Sequence, residues 1–334
     1  MKLLNTLIVT VFAVTNASPI SGILERAPVS GQAKVREIYG WDQEGTWAEN
    51  LVVRENGNLL VTLADRPELY EINPFKKTSE LIHRFHGYTS LLGITEVAPD
   101  VFTVAAGNLT LSPLVPTPGS FSVWQVDYKR VGNNNIRVAK VADLTGATFI
   151  NGMTTLDACF GTILLADCAA GQVIHLNTRT GKYTVVHDNP VLKPISGNAT
   201  PIGVNGLELD GKWLYFTNTV QALYGRVPID LKTGKASGPY EILTGDTISD
   251  DLVVKNGVGY LAGNRGNVIY RVNAQGDREV VAGNTNSTLV AGATAAVFGR
   301  TKRDKNVLYI STAGTDGAEL NGAIEWGKVK AVQL

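Results

Sequence analysis

The chain has 334 residues, in which 30 Lys and Arg residues balance 30 Asp and Glu residues, and it carries no charged block or tail. This balance provides no electrostatic footprint for nucleic acid or an anionic membrane, and it favours a small molecule as the partner. The length allows two domains or one large all-β unit, and the 35 glycines fit many tight turns between short strands.

The N-terminus predicts a signal peptide over residues 1–17. Lys2 precedes an apolar run from Leu3 to Val14, which is too short to span a bilayer, and small residues lead to a cleavage site after Ala17. We therefore expect one mature domain over residues 18–334, either secreted or held in the lumen of the endoplasmic reticulum or a vesicle, with no membrane contact after cleavage.

Three sequons agree with a secretory route, and they predict N-glycosylation at Asn108, Asn198 and Asn286. The two cysteines, Cys159 and Cys168, fall on a predicted hairpin that turns near Phe160-Gly161. A strand of that length separates its ends far beyond disulfide reach, so two buried free thiols are expected unless the hairpin is wrong. We expect a monomer or a weak homodimer.

One two-strand unit recurs six times along the chain. Each copy has an alternating apolar strand, a reversal and a second apolar or aromatic strand. The reversals use residues that accept tight-turn angles, such as Asn56-Gly57, Pro99-Asp100, Asp210-Gly211 and Asn256-Gly257. The copies begin near Glu49, Gly93, Asn151, Asn205, Asp250 and Gly292.

A third strand and often a fourth follow each hairpin, which is typical of a propeller blade. The pattern predicts an all-β, six-bladed β-propeller. The segment Lys34–Trp41 has strand character but no hairpin of its own. We expect it to complete the last blade, whose final strand ends at Leu334, so that the ring closes by strand pairing without exposed edges.

The starts of the first strands should meet at one mouth of the central channel. Glu49, Asn151, Asn205 and Asp250 come from four different blades, and such hard oxygen ligands suit Ca²⁺ or Mg²⁺. The alternative is that these residues only satisfy turn backbone. The second-strand ends would add polar groups at the same mouth: Asp65, Asn108, Asp167, Asn218 and Asn264.

His86, on the loop before the second blade, is the candidate general acid or base by side-chain type, with Tyr88 beside it and Trp47 as a further apolar wall. The other three histidines fit structural positions. The sequence contains no Gly-x-Ser-x-Gly elbow, P-loop, dinucleotide fingerprint or Cys-x-x-Cys, so serine-nucleophile, nucleotide and redox functions lack support.

The order Glu49-Asn-Leu-Val, Asn151-Gly-Met, Asn205-Gly-Leu and Asp250-Asp-Leu resembles the gluconolactonase and regucalcin family of six-bladed propellers. That resemblance implies a divalent metal held by Glu49, Asn151, Asn205 and Asp250, and a lactone hydrolase. The chain departs from the family pattern at Asn50-Leu51, which replace Gly-Pro, and at Asp251, which replaces a Gly.

Longer phrases, including TWAENLVVRENGNLLVT, LLGITEVAPDVFTVAAGN and STLVAGATAAVFGRTK, resemble fungal secreted propellers of natural-product pathways, among them the hetero-Diels-Alderases of tropolone sesquiterpenoid assembly. The resemblance implies a pericyclase that captures a tropolone-derived ortho-quinone methide with a humulene-type terpene and needs no cofactor. It would use Glu49, Asp250 or His86 as acid, and its binding residues would be Trp47, Tyr88, Asn151, Asn205, Asn218 and Asn264. A non-catalytic binding propeller is the third alternative.

Overall fold

The computed structural model describes residues 32–129 and 136–334, and the predicted signal peptide lies outside them. Residues Gln32–Leu334 form one compact unit. Six antiparallel four-stranded sheets are arranged as blades, which confirms the predicted all-β, six-bladed propeller. In the described part of the chain, no helix is long and apolar enough to cross a membrane.

The strands follow the chain from blade to blade. The first half of the chain contains β1 (Lys34–Gly40); in blade 1, β2 (Ala48–Val53), β3 (Leu59–Leu63), β4 (Glu68–Asn73) and β5 (Thr78–Arg84); in blade 2, β6 (Ser90–Ala98), β7 (Val101–Gly107), the inserted pair β8 (Leu109–Thr110) and β9 (Val115–Pro116), β10 (Ser122–Asp127) and β11 (Arg137–Asp143); and in blade 3, β12 (Ile150–Asp157), β13 (Thr162–Asp167), β14 (Gln172–Asn177) and β15 (Tyr183–His187).

The second half contains three more blades and two short 3₁₀ helices, η1 (Pro190–Leu192) and η2 (Asn264–Gly266). Its strands are, in blade 4, β16 (Val204–Asp210), β17 (Trp213–Asn218), β18 (Leu223–Pro228) and β19 (Glu241–Thr244); in blade 5, β20 (Leu252–Lys255), β21 (Val258–Gly263), β22 (Val268–Val272) and β23 (Arg278–Gly283); and in blade 6, β24 (Ala293–Phe298), β25 (Val307–Thr312) and β26 (Lys328–Gln333).

Blade 6 takes its outer strand from the beginning of the described chain. Strand β1 pairs with β26, from Lys34 opposite Gln333 to Gly40 opposite Lys328. Side chains also join blade 6 to blade 1: Thr294 donates to the carbonyl oxygen of Ala48 at 2.7 Å, and Ser311 donates to that of Glu49 at 3.1 Å. The last and first blades are therefore linked by backbone pairing at the rim and by hydroxyl groups near the channel.

The predicted hairpin turns are confirmed where the blades reverse. Asn256 and Gly257 both have positive φ, 55° and 74°, and join β20 directly to β21, as an Asn-Gly turn between twisted strands requires. Asp100 has φ 56° between β6 and β7. Short polar side chains and glycine reach these angles at low steric cost, which is why the turn residues could be recognised locally.

The inner strands have an irregular start, which orients the side chains at the channel mouth. The register shifts between Ala48 and Asn50, between Ile150 and Met153, and between Val204 and Leu207. Such β-bulges place an extra residue in one strand and redirect its side chain. Glu49, Asn151 and Asn205 occupy these bulges, so the channel mouth receives a polar side chain from each of three blades.

The glycines of the repeated Asn-Gly junctions are required by close packing between neighbouring blades. A Cβ on Gly152 would lie 2.2 Å from the carbonyl oxygen of Asn205, and a Cβ on Gly206 would lie 2.3 Å from Oδ1 of Asp251. Any larger residue would push the inner strands apart. Each Asn-Gly therefore combines a polar group at the mouth with close contact to the next blade.

Candidate functional site

The centre of the candidate site is formed by two carboxyl–amide pairs at the channel mouth. Asn151 Nδ2 donates to Glu49 Oε1 at 2.9 Å, and Asn205 Nδ2 donates to Asp250 Oδ1 at 2.6 Å. Glu49 Oε2 also accepts from Trp47 Nε1 at 2.5 Å, and Asp250 Oδ2 accepts from Asn264 Nδ2 at 3.3 Å. The tertiary fold thus brings together the four residues predicted from separate blades.

Glu49 is buried and Asp250 is half-buried, and neither carboxyl group has a positive partner, which shifts their protonation. Burial raises the pKa of Glu49 from 4.5 to about 7, opposed by the hydrogen bonds from Asn151 and Trp47. Burial, then the charge of Glu49, raises the pKa of Asp250 well above 3.8. Within the described ranges, neither carboxyl group forms a salt bridge. The surroundings therefore favour the protonated form of both carboxyl groups, and an ionised Glu49 favours it further at Asp250.

A second pair lies directly beside the first and contains both departures from the family pattern. Asn50 Nδ2 donates to Asp251 Oδ2 at 2.6 Å, which links blade 1 to blade 5. Each residue also accepts a hydrogen bond from the following backbone N–H, at Leu51 and Leu252. Burial raises the pKa of Asp251 to about 6. Asn50 and Asp251 therefore compensate for one another across the channel.

A cavity of about 770 Å³ opens above these pairs. This volume lies within the range of small-molecule sites. Its floor contains Glu49, Asn151, Asn205 and Asp250, and Trp47 and Asn264 also line it. The β8–β9 insertion of blade 2 supplies an aliphatic wall that includes Leu109, Leu111 and Leu114.

Three of the residues predicted to bind or act on the substrate do not line this cavity. His86 is exposed on the turn before β6. Tyr88 donates to Ser122 Oγ at 3.0 Å and packs edge-on against Trp124, so its side chain makes these contacts within blade 2. Asn218 is buried and donates to the carbonyl oxygens of Val191 and Lys193, both at 2.9 Å. The loop paths that separate these residues from the mouth could not be read from strand patterns.

Polar residues at the ends of the second strands mainly hold backbone segments in place. This is the structural role that the sequence predicted as the alternative to binding a ligand. Asp65 accepts from the Trp47 backbone N–H at 2.8 Å, and Asp167 accepts from the backbone N–H groups of Thr148 and Phe149, both at 2.9 Å. These bonds hold the segments that enter blades 1 and 3. Asn264, in contrast, both lines the cavity and contacts Asp250.

The predicted glycosylation positions differ in exposure. Asn198 and Asn286 are exposed, and Asn198 also lies at the cavity rim. Asn108 is half-buried, and its Oδ1 is buried without a hydrogen-bond partner among the described residues. Glycosylation at all three positions remains a prediction.

Both cysteines are free, as the hairpin geometry predicted. The prediction that both thiols are buried is wrong for Cys159, which is exposed because it lies near the hairpin turn. Cys168 is buried, and its thiol donates to Asn205 Oδ1 at 3.5 Å. Burial raises the pKa of Cys168 well above its usual value. The two thiols therefore differ in reactivity, because the thiolate is the reactive form.

We expect a thiol reagent to modify Cys159 in the native protein and Cys168 only after unfolding. Peptide mapping by mass spectrometry after brief labelling, with and without denaturant, measures both sites. A Cys159→Ser variant serves as the control and should remain unlabelled until it unfolds. Rapid native labelling of Cys168 would contradict the buried position of this thiol.

The donor set also fits a divalent cation. Glu49, Asn151, Asn205 and Asp250 offer only hard oxygen atoms, and Asn151 Oδ1 is buried without a hydrogen-bond partner in the described structure. No cluster of three or more His, Cys, Asp or Glu side chains suited to a metal occurs among the described residues. Any metal at this mouth would therefore depend on the two amide oxygens.

Comparison with known proteins shows sequence similarity to two fungal proteins. No family model matches the chain. It is 26% identical over 320 residues to a Phoma sp. protein named "Putative hetero-Diels-Alderase", covering 85% of this chain and 89% of that one. It is 25% identical over 312 residues to a Sarocladium schorii protein that carries the same description, covering 83% and 77%.

Solved structures share the fold at low sequence identity. A luciferin-regenerating enzyme superposes with a TM-score of 0.63 at 14% identity, covering 90% of this chain and 95% of that one. Regucalcin from Agrobacterium tumefaciens, described as a calcium-binding protein, superposes with a TM-score of 0.61 at 15% identity, covering 91% and 96%. These similarities support the resemblance to regucalcin-like propellers at the level of the fold.

Proposed function

We propose that this protein is a pericyclase that catalyses a hetero-Diels-Alder cycloaddition between a tropolone-derived ortho-quinone methide and a humulene-type terpene. The observation that carries the proposal is the 770 Å³ cavity, in which an aliphatic wall stands above the buried Glu49 and the half-buried Asp250, two carboxyl groups of raised pKa. The similarity to two proteins described as hetero-Diels-Alderases supports the reaction class.

The carboxyl pair suits the dehydration that forms the quinone methide. Asp250, which is protonated, donates its proton to the departing hydroxyl of a hydroxymethyl tropolone as the carbon–oxygen bond breaks and water leaves. Glu49, in its ionised form, accepts the proton of the neighbouring ring hydroxyl. The ring is then a neutral quinone methide, and the two carboxyl groups have exchanged their protonation states. One proton transfer between them, directly or through water, restores the starting state.

Cycloaddition itself needs position rather than covalent chemistry. One carbon–carbon and one carbon–oxygen bond form as the quinone methide adds across a terpene double bond. Holding both reactants in a reactive pose contributes several kcal/mol through orientation. The cavity walls, including Trp47 and the leucines of the β8–β9 insertion, provide an apolar surround that keeps water from the electrophile.

A metal-dependent lactone hydrolase is the second candidate, favoured by the unpartnered Asn151 Oδ1 and the two carboxyl groups without a cation. Glu49, Asn151, Asn205 and Asp250 would hold Ca²⁺ or Mg²⁺, which would act as a Lewis acid on a lactone carbonyl. The pericyclase and hydrolase mechanisms cannot operate together at this site. A bound divalent cation keeps both carboxyl groups ionised, so neither can donate a proton.

The test is incubation of the purified protein with a hydroxymethyl tropolone and α-humulene, followed by chiral chromatography and mass spectrometry. We expect an enantioenriched adduct that forms in the presence of a chelator and is suppressed by excess Ca²⁺. Hydrolysis of simple lactones that a chelator abolishes, without adduct formation, would establish the hydrolase instead. Binding of both compounds without turnover would indicate a non-catalytic propeller.

A further inference from the structure

The cavity walls above the floor differ in chemistry from one side of the ring to the other. Four of the five lining leucines, Leu92, Leu109, Leu111 and Leu114, come from blade 2, and the fifth, Leu320, comes from blade 6. The charged wall residues, Arg265, Asp316 and Glu319, all come from blades 5 and 6. Blade 5 lies opposite blade 2 in a ring of six, so the aliphatic wall faces the charged wall across the channel.

Arg265 is the positively charged residue of the charged wall, and its guanidinium has no side-chain partner among the described residues. It lies on η2, between Asn264, which contacts Asp250, and Asn267. Within the described ranges, its guanidinium forms no salt bridge, no side-chain hydrogen bond and no stacking contact with an aromatic ring, and the residue is exposed. A guanidinium at a cavity rim without a protein acceptor can bind an anionic oxygen with directional hydrogen bonds.

Other arginines of this protein, unlike Arg265, are bound to carboxylate groups. Arg54 is held by Glu71 at 2.7 Å and by Asp100 at 3.0 Å, and Arg226 is held by Glu241 at 2.9 Å. Those contacts join strands and leave little donor capacity. Arg265 lines the cavity without such a partner, although Asp316 and Glu319 line the same half. Its five N–H donors are therefore free to recognise a ligand.

We propose that the cavity has two subsites: an aliphatic subsite at blade 2 for a hydrocarbon, and an anion-binding subsite at blade 5 in which Arg265 binds the oxygens of an acidic, oxygen-rich ring whose hydroxyl proton passes to Glu49. This assignment rests on the proposed function and names which half of the cavity takes each reactant. The carboxyl pairs lie at the floor between the two halves, where the reacting carbons of both partners would meet. Arg265 is a specificity-determining residue in this arrangement.

Binding measurements test the subsites without requiring turnover. Isothermal titration calorimetry would compare tropolone, held as its anion at mildly alkaline pH, with its neutral methyl ether and with α-humulene. We expect Arg265→Gln to weaken tropolone binding about tenfold, the loss expected for a charge-assisted hydrogen bond at an exposed position, and to leave the other two ligands within about twofold. Arg265→Lys should restore part of the loss, because it keeps the charge.

Two further variants complete the design. Leu111→Asp should weaken α-humulene about tenfold or more while tropolone binding persists, because it places a charge in the aliphatic wall. Arg36→Gln is the matched control, since Arg36 is exposed on β1 and does not line the cavity, and it should change none of the three affinities. Melting curves of every variant confirm that each is folded.

The proposal is overturned if tropolone and its methyl ether bind equally to the wild-type protein, or if Arg265→Gln leaves tropolone binding unchanged. It is also overturned if tropolone does not bind at all. The proposed function fails in a different way: both ligands occupy their subsites with the expected dependence on Arg265 and Leu111, yet a hydroxymethyl tropolone and α-humulene give no adduct. The two failures are therefore distinguishable in one set of proteins.

Discussion

Asp250→Asn is expected to lower the rate of adduct formation from a hydroxymethyl tropolone by about 100- to 10,000-fold, the usual contribution of a general acid. Asn is close to Asp in size but cannot donate an acidic proton to the departing hydroxyl. In the folded protein the pKa of Asp250 is raised by burial and by the charge of Glu49, which favours the protonated form that the proposed proton donor needs. Initial rates of adduct formation measure the effect.

A substrate with a better leaving group separates acid catalysis from a structural role. The acetate ester of the hydroxymethyl group leaves without protonation, so Asp250→Asn should process it at close to the wild-type rate. Equal losses with the alcohol and the ester would show that Asp250 acts by holding Asn205 and Asn264 in place. Asp42→Asn provides the matched control, because Asp42 is exposed and lies outside the cavity lining.

Stability is expected to fall as pH rises, and Glu49 is expected to carry much of that dependence. The pKa of Glu49 is about 7 in the folded protein against an ordinary value of 4.5, so the folded state binds a proton that the unfolded state has lost. This contribution is fully present below pH 4.5 and is lost as pH rises through about 7. Glu208, whose pKa burial raises to about 8, acts in the same direction, as do Asp250 and Asp251, whose pKa values are also raised.

Glu49→Gln tests this pH dependence when the stabilities of the wild type and the variant are compared at two pH values. Between about pH 5 and about pH 8, the stability of the wild type relative to this variant should fall by about 2 to 3 kcal/mol. The comparison cancels any loss that Gln causes equally at both values, such as a poorer hydrogen bond with Trp47 or Asn151. Urea unfolding at each pH supplies the free energies.

Glu80→Gln is the matched control for that experiment, because Glu80 is exposed on the outer strand β5. It should follow the pH dependence of the wild type. If Glu49→Gln follows it as well, the buried carboxyl is not protonated in the folded state. A rise in wild-type stability on adding Ca²⁺ at about pH 8, absent in Glu49→Gln, would favour the metal site, because a ligand that binds only the folded state stabilises it.

The sequence alone determined the blades. Strand alternation and turn residues such as Asn256-Gly257 are properties of neighbouring residues, so they could be recognised without knowledge of what packs around them. Repetition then provided the arrangement: Glu49, Asn151, Asn205 and Asp250 occupy equivalent positions in different blades. Equivalent positions in a closed ring meet at its axis, which is why the floor of the cavity was predictable.

The tertiary structure decided everything that the repeat does not encode. Asn50 and Asp251 are 201 residues apart, and only the ring shows that the two departures from the family pattern bind one another. The β8–β9 insertion, and its position over the cavity, were not predicted from the sequence. Arg265 carries no motif, and only its place in the cavity without a partner identifies it as a candidate ligand group.

The limit has a physical cause. Strand period and turn chemistry depend on contacts within a few residues, and they repeat from blade to blade. The loops that form the cavity wall are different in every blade, and their side chains find partners across the ring rather than along the chain. His86 and Tyr88 show this, since they lie on the turn before β6 and do not reach the cavity, while Asn218, at the end of β17, binds the carbonyl groups of the η1 segment instead. The local sequence thus determined the propeller and the floor of the site, and the long-range packing of loops determined its walls.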